Sequence, residues 1–360
     1  MAQRCLTLRR RLSLSAPRIC SASKGAKSWP VEGMFRRIPD LVGISMDRPE
    51  SSFKRRAIVP EGWLWFWRPV YALKAAWRHL RISKAMTRVF GPQYRRSRDL
   101  IEIDITYACN LHCLNCNRSV TQAPDKQHMP LSMIESFVNE SISKAKRWRR
   151  IRVLGGEPTM HPEFSAIIEE LRRYKRWHSA CLVEVVTNGH GKAVNAKLDA
   201  LPDDIWVENS HKTSVVQPTF GPFNMAPVDD PKYDHADYAN GCAIMDECGM
   251  GLTPNGYYPC AVAGGIDRIT NDGLGQQTLP ADSDDMLAAS KKLCRLCGRF
   301  RAGHFIPRNL RPPLLEEQIS PTWEKLYNEW RLRKEQEGTH AVQVTVRGAV
   351  PNTSASGAKA

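Results

Sequence analysis

Apolar residues recur along the middle of the chain with two alternating periods. Ile101, Ile103 and Ile105 alternate with Glu102 and Asp104, the period of a strand with two unlike faces. Ser132-Met-Ile-Glu135 has the form of a helix capping box, and Ile134, Phe137, Val138 and Ile142 then recur at helical spacing. The apolar run from Ile151 to Leu154 reads as a second strand. Pro162 opens a second helix with Phe164, Ile167, Ile168 and Leu171 on one face. Leu182 to Val186 reads as a third strand, Val194 to Leu201 as a helix and Ile205-Trp-Val207 as a fourth strand. Strands alternating with helices imply parallel βα units and an α/β fold. In barrels of such units the chemistry sits at the C-terminal ends of the strands.

The chain places its conspicuous residues at those ends. Cys109-Asn-Leu-His-Cys113-Leu-Asn-Cys116 follows the first strand, Gly155-Gly-Glu-Pro158 the second and Thr187-Asn-Gly189 the third. Three cysteines spaced C-x3-C-x2-C suit a loop wrapped around one compact soft-metal object, zinc or an iron–sulfur cluster. Zinc wants four ligands, and this loop offers three thiols with His112 beside them. A cubane 4Fe-4S cluster on three thiolates leaves one iron open to a ligand that is not protein.

With these motifs the chain resembles the radical S-adenosylmethionine (radical SAM) enzymes. The resemblance implies a partial (β/α)6 TIM-like barrel, spanning 101–240, with Cys109, Cys113 and Cys116 holding a 4Fe-4S cluster. It implies that the open iron chelates SAM and that one electron cleaves SAM to methionine and a 5′-deoxyadenosyl radical. Gly155, Gly156 and Glu157 would then meet the methionine ammonium of SAM through carbonyls and carboxylate. Thr187 and Asn188 stand where the family places polar contacts to the SAM ribose or carboxylate; Asn-Gly is also an ordinary turn dipeptide. The family's aromatic residue before the third cysteine is Asn115 here, which leaves one contact near the adenine open.

Charge changes the picture at one end only. The net charge is +15, but residues 1–100 carry 22 Lys+Arg against 6 Asp+Glu, and residues 101–360 carry 30 against 31. Bulk charge therefore gives a nucleic-acid substrate no support. No run of 18 apolar residues is present to span a membrane. Residues 1–62 read as a basic leader; 1–31 contain no acid and resemble a transit peptide, or a plain basic extension in a cytoplasmic protein. In 63–100, Trp63, Trp65, Trp67, Tyr71 and Trp77 are interleaved with Arg68, Lys74, Arg78, Arg81, Lys84 and Arg88. A helix is expected after Pro69. It can dock on the barrel through its Trp rings with the arginines in solvent, or lie on an anionic membrane surface.

Eleven cysteines without a secretory segment point to metal binding rather than a disulfide framework. After the loop 211–240, where His211, Lys212 and Asp237 are polar candidates for substrate contact, a second group appears over 241–310. Thr253-Pro-Asn-Gly-Tyr-Tyr-Pro-Cys260 looks like a β-hairpin delivering a thiol, and Cys294-Arg-Leu-Cys297 follows. This resembles the SPASM or shorter twitch extensions of radical SAM enzymes, with Gly256 one place late in the register counted from Cys242. The resemblance implies one auxiliary 4Fe-4S cluster on Cys242, Cys260, Cys294 and Cys297, with Cys248 the alternative to Cys242. A structural zinc site has the same ligands. Cys5, Cys20 and Cys181 receive no role. A last helix is expected over Thr322 to Glu337, with Trp323, Leu326, Tyr327 and Trp330 on one face, and residues 338–360 read as a disordered tail.

The expected activity is oxidoreductase-like: hydrogen abstraction from a substrate carbon, with the auxiliary cluster as electron acceptor. A redox-neutral rearrangement or transfer, a peptide-modifying maturase, and a non-enzymatic electron carrier or metal scaffold are the alternatives. The expected partners are an external one-electron donor of the flavodoxin or ferredoxin type and a sugar, cyclitol or peptide substrate.

Overall fold

The sheet is built around β1 (Leu100–Thr106), a strand whose seven residues are all buried. The computed structural model describes residues 58–218 and 220–337, all within the unit Arg48–Ala360. Residues 1–57 and 338–360 lie outside the described residues, and with them most of the expected leader, the transit-like stretch, Cys5, Cys20 and the tail.

β2 (Arg150–Gly155), β3 (Leu182–Thr187) and β4 (Trp206–Asn209) add to one side of β1 in parallel, each pairing with the one before. Helices α3 (Leu131–Ser143), α4 (Phe164–Trp177) and α5 (Lys192–Asp199) make the crossovers. The expected apolar faces meet here: Ile101, Ile103 and Ile105 pack with Ile134, Phe137, Val138, Ile167, Ile168 and Leu171 in one core. Burying each such side chain contributes about 1.5–3 kcal/mol, which is why pattern alone places these elements.

Three differences from expectation have local causes. Ser132 is not the cap of α3: the helix begins at Leu131, led in by Pro130 at φ −64°, and the Ser132 carbonyl accepts from Ser136 Oγ at 2.8 Å instead. A proline's fixed φ suits that entry without any side-chain cap. The N-terminal helix α1 (Leu64–Arg81) begins before Pro69, running on from a 3-10 turn at Glu61–Trp63. It turns Trp67, Arg78 and Arg81 inward and leaves Trp65, Arg68 and Trp77 exposed, so rings and arginines are divided between its two faces rather than sorted as rings inside and arginines outside. A short helix α2 (Lys84–Phe90), capped by the Ser83 hydroxyl on Met86 N at 3.2 Å, follows it. The third difference lies in the sheet. Among the described residues four parallel strands precede residue 210, and the fifth comes from the hairpin β5 (Met250–Thr253) and β6 (Gly256–Tyr258). β5 pairs in parallel with the free side of β1, and β6 pairs antiparallel with β5, so the order is β4-β3-β2-β1-β5-β6. A central strand left with one bare edge would expose unpaired backbone groups, and the hairpin covers them.

α6 (Ala261–Thr270), α7 (Leu287–Cys294) and α9 (Pro321–Gln336) share a second core, and the short α8 (Arg299–Ala302) buries Phe300 with Ile82 and Tyr233 in a smaller one. Trp323, Tyr327 and Trp330 are the buried residues of α9.

The polar positions of β1 face the other way. Glu102 stands opposite Arg152 on β2, which stands opposite Glu184 on β3. Arg152 donates to Glu102 at 2.5 Å, Glu184 at 2.7 Å and Glu208 at 2.9 Å, and Arg118 donates to Glu102 and Asp104, each at 3.0 Å. Burial would lower the pKa of both guanidiniums, but the carboxylates around them outweigh it and raise it. Both arginines are therefore charged, and a buried charge costs several kcal/mol unless paired in this way. Arg152→Ala takes one buried cation from three carboxylates, of which Glu102 keeps Arg118, and is expected to destabilise the protein by about 3–5 kcal/mol. Urea unfolding followed by far-UV circular dichroism measures this. An unchanged midpoint would mean that the lattice does not join the strands energetically.

Candidate metal centre

The C-terminal ends of β1 to β4 converge. β1 runs out at Thr106, and the loop carrying Cys109, Cys113 and Cys116 begins there; Cys113 is buried and the other two are half-buried. Leu111 N donates to Cys109 Sγ at 3.4 Å and Asn188 Nδ2 approaches the same sulfur at 3.9 Å. The Cys113 carbonyl accepts from Thr121 Oγ1 at 3.0 Å. Burial pushes the Cys109 thiol up to about 11, with Cys116, Glu157 and Cys113 adding to it, and burial raises the Cys113 thiol against the pull of Lys212. His112 is exposed.

Gly155-Gly-Glu-Pro158 packs directly on that loop. Gly156 N donates to the Thr106 carbonyl and Glu157 N to the Ala108 carbonyl, both at 2.8 Å. A Cβ on Gly155 would fall 2.2 Å from the Thr106 oxygen and one on Gly156 2.3 Å from the Ala108 oxygen, so no side chain fits either position. Gly155 also holds φ +138°, a conformation that favours glycine. The carboxylate of Glu157 is fully buried and engaged within the protein. It accepts from Thr159 Oγ1 at 2.8 Å, Thr187 Oγ1 at 2.9 Å and Asn188 N at 2.8 Å. Thr187 and Asn188 thus join β3 to β2, and Asn188 Nδ2 also reaches Asn110 Oδ1 at 2.8 Å. Lys212 N donates to the Asn188 carbonyl, while His211 N donates to Asn209 Oδ1. Asp237 lies elsewhere, its carboxylate on Ala239 N and its own N–H on the Ile82 carbonyl.

Two contacts of this site escape sequence reasoning. Asn115 is buried at φ +52° and holds the segment 311–320. It donates from N to Glu317 Oε2 and from Nδ2 to the Glu316 carbonyl, both at 2.8 Å, and accepts from Gln318 N at 3.0 Å. The signal available was the residue type, since Asn is tolerant of positive φ. Tyr327 on α9 meets Ser119 Oγ at 2.8 Å and donates to Asn224 Oδ1 at 3.0 Å, while Trp323 Nε1 donates to the Leu296 carbonyl at 2.6 Å. The last helix therefore grips both cysteine loops.

Cys242, Cys260, Cys294 and Cys297 line one cavity with Ile244, Ile266 and Phe300. Cys260 comes directly before α6, Cys294 ends α7, and Cys297 lies one turn on. Burial and the neighbouring sulfurs push the Cys260 and Cys294 thiols well up, and the Cys297 thiol up to about 12. Cys248 is outside this lining, on a π-turn (Ile244–Cys248) within electrostatic reach of Arg150 and Arg152. Cys181 is buried in the sheet core. Arg78 of α1 packs against Phe300, which lines the cavity. It donates to the Gly241 and Phe300 carbonyls at 2.7 and 3.0 Å and lies 4.5 Å from the Phe300 ring centroid. Burial lowers its pKa to about 10, which leaves it a cation beside Cys242 and Cys294. Among the described residues no three His, Cys, Asp or Glu side chains gather tightly enough for a single metal ion. Cys242, Cys260, Cys294 and Cys297 share the lining of one cavity.

Residues 103–201 match the family model of the radical SAM superfamily. That stretch of the chain is a radical SAM domain. The match runs from β1 to just beyond α5 and so contains the three-cysteine loop, Gly155-Gly-Glu-Pro158 and Thr187-Asn-Gly189. The domain is similar to the GTP 3′,8-cyclase of Chlorobaculum tepidum, 29% identical over 113 residues, which are 31% of this chain and 32% of that protein. It is also similar to the GTP 3′,8-cyclase of Campylobacter jejuni, 28% identical over 97 residues, 27% of this chain and 29% of that protein. The chain spans about a third of the length of the curated relatives it matches. Among solved structures, BtrN in complex with AdoMet and 2-DOIA is 13% identical with a TM-score of 0.35, over 57% of this chain and 94% of that chain. Streptococcus suis SuiB bound to precursor peptide SuiA is 14% identical with a TM-score of 0.30, over 65% and 76%. The superfamily's cofactors are a 4Fe-4S cluster and SAM, and the radical SAM domain here offers three thiols on a hydrogen-bonded loop against a glycine floor.

The grip of α9 on that radical SAM domain is testable. Tyr327→Phe leaves Ser119 and Asn224 short of a partner in a buried place, at a cost of about 1–3 kcal/mol. The expected outcome is a lower unfolding midpoint and faster proteolysis after residue 310, while a variant indistinguishable from the parent in both would mean that α9 rests on its Trp side chains alone.

Proposed function

We propose that this radical SAM enzyme removes hydrogen from an unactivated carbon of its substrate with net oxidation, the second cysteine group holding an auxiliary 4Fe-4S cluster. The observation that carries the reading is the set of four thiols, Cys242, Cys260, Cys294 and Cys297, around one cavity whose lining has no polar side chain. Four thiols around one buried apolar space suit the ligation of a 4Fe-4S cluster, and metal analysis separates this from a zinc ion on the same four sulfurs. When bound, the two clusters supply the electron that cleaves SAM and an acceptor for the electron left on the substrate.

The chain's own residues have distinct tasks in this reading. Cys109, Cys113 and Cys116 are the ligands of the SAM cluster. Gly155 and Gly156 offer backbone carbonyls to the methionine end of SAM. The carboxylate of Glu157, engaged by Thr159, Thr187 and Asn188, sets the loop rather than serving as a contact. Asn188 steadies Cys109 through its amide. Burial raises the Cys109, Cys113, Cys260, Cys294 and Cys297 thiols, so loading either site releases protons and is favoured as pH rises. Arg78 faces the second set as a fixed cation and offsets part of the negative charge that four thiolates bring. The parallel sheet is read as the partial barrel of the superfamily, closed on its open side by the hairpin β5–β6. A sugar, cyclitol or peptide substrate and a flavodoxin- or ferredoxin-type donor fit this reading equally.

The test is metal content and product together. Anaerobic reconstitution should yield about eight irons per chain, two clusters of four. Cys260→Ala should lower this toward about four, leave 5′-deoxyadenosine release partly intact and reduce substrate oxidation further. Cys113→Ala should abolish 5′-deoxyadenosine release. About four irons with one zinc per chain would remove the auxiliary acceptor from the reaction. Full SAM cleavage by Cys113→Ala would falsify the ligand assignment.

A further inference from the structure

α1 is amphipathic with the wrong face outward. At about 100° per residue, Trp65, Pro69, Leu73, Ala76 and Leu80 fall in a single stripe about 80° wide, with Phe66 and Trp77 on its border. All seven are exposed, Trp65 at 74%, Leu73 at 67%, Leu80 at 53% and Trp77 at 47%. The inward face instead carries Arg78 and Arg81, which bond to the carbonyls of Gly241, Phe300 and Gly91. The helix is thus anchored by its arginines and presents its apolar stripe to the outside. Trp63, on the turn before it, and Val89 and Phe90, at the end of α2, are exposed as well. Exposed apolar surface of this extent on a soluble fold marks a docking surface.

Charge identifies what docks. From residue 62 to residue 98 the chain holds nine Lys and Arg and no Asp or Glu. Arg68, His79, Lys84 and Arg88 are exposed around the stripe. A second copy of this surface would bring cations against cations. Residues 1–57, with 13 Lys and Arg against 4 Asp and Glu, carry the same sign and suit the surface no better. An aromatic and leucine stripe flanked by bases matches an anionic lipid interface, where Trp and Phe sit at headgroup level and Lys and Arg meet phosphates. No helix among the described residues is long and apolar enough to cross a membrane, so α1 lies on the surface rather than through it. We infer that α1 and α2 seat this enzyme on an anionic phospholipid bilayer by the stripe Trp65, Leu73, Trp77 and Leu80.

The experiment uses the full-length, reconstituted protein and co-sedimentation with vesicles of phosphatidylcholine, alone or mixed with phosphatidylglycerol. Binding is expected to the mixed vesicles, weaker to phosphatidylcholine alone, and falling with salt. The variant Trp65→Ser, Leu73→Ser, Trp77→Ser, Leu80→Ser keeps every base and alters only exposed side chains. Its binding should drop by at least about tenfold with iron content and unfolding midpoint unchanged. Three results overturn the inference: no binding by the parent chain, binding equal in the variant, or a parent that self-associates through the stripe and ignores vesicles. Equal binding would assign the lipid contact to the basic residues outside the stripe.

Discussion

One buried carboxylate holds the mouth of the sheet in register. Glu157 is fully buried at the end of β2, yet both its oxygens are satisfied, by Thr159 on its own turn and by Thr187 and Asn188 on the next strand. A buried carboxylate without such donors would cost several kcal/mol, so the turn after β2 and the turn after β3 have to form together. The same turn lies against the three-cysteine loop with no room for a side chain at Gly155 or Gly156. The position of Cys109 relative to β2 and β3 therefore follows from one acid and two missing side chains.

The C-terminal part depends on the same arrangement. The hairpin takes the open edge of β1, which sets Cys260 beyond the end of β6, and α9 fastens the Cys294–Cys297 turn to the loop after Cys116 through Trp323 and Tyr327. Asn115 adds a second tie, to the segment that leads into α9. The two groups of cysteines share a sheet and a closing helix.

Most of the fold was legible because it rests on burial periodicity. The four parallel strands, their helices and the buried face of α9 lie where the apolar residues put them. The grouping of Cys242 with Cys260, Cys294 and Cys297, away from Cys248, is a matter of spacing along the chain and is the one the structure brings together. What was not legible depends on partners distant in sequence. Nothing near Ser132 says that Pro130 starts the helix unaided. Nothing near Arg78 says that it is buried against Gly241 and Phe300, since a Trp- and Arg-rich helix is ordinarily assumed to bury its rings. The parallel pairing of β5 with β1 joins residues about 150 positions apart, a separation no local pattern encodes. Glu102 and Asp104 show in the sequence only as the polar positions of an alternating strand; that they are buried with Arg118 and Arg152 depends on those distant partners.

That interior limits how the chain can vary over generations. Arg152 answers one carboxylate on β1, one on β3 and one on β4. Replacing a single member upsets the balance of buried charge, while replacing several at once by apolar residues of similar volume can be close to neutral. Accepted changes at Glu102, Arg152, Glu184 and Glu208 should therefore arrive as correlated sets, and the positions should covary among relatives rather than drift one by one.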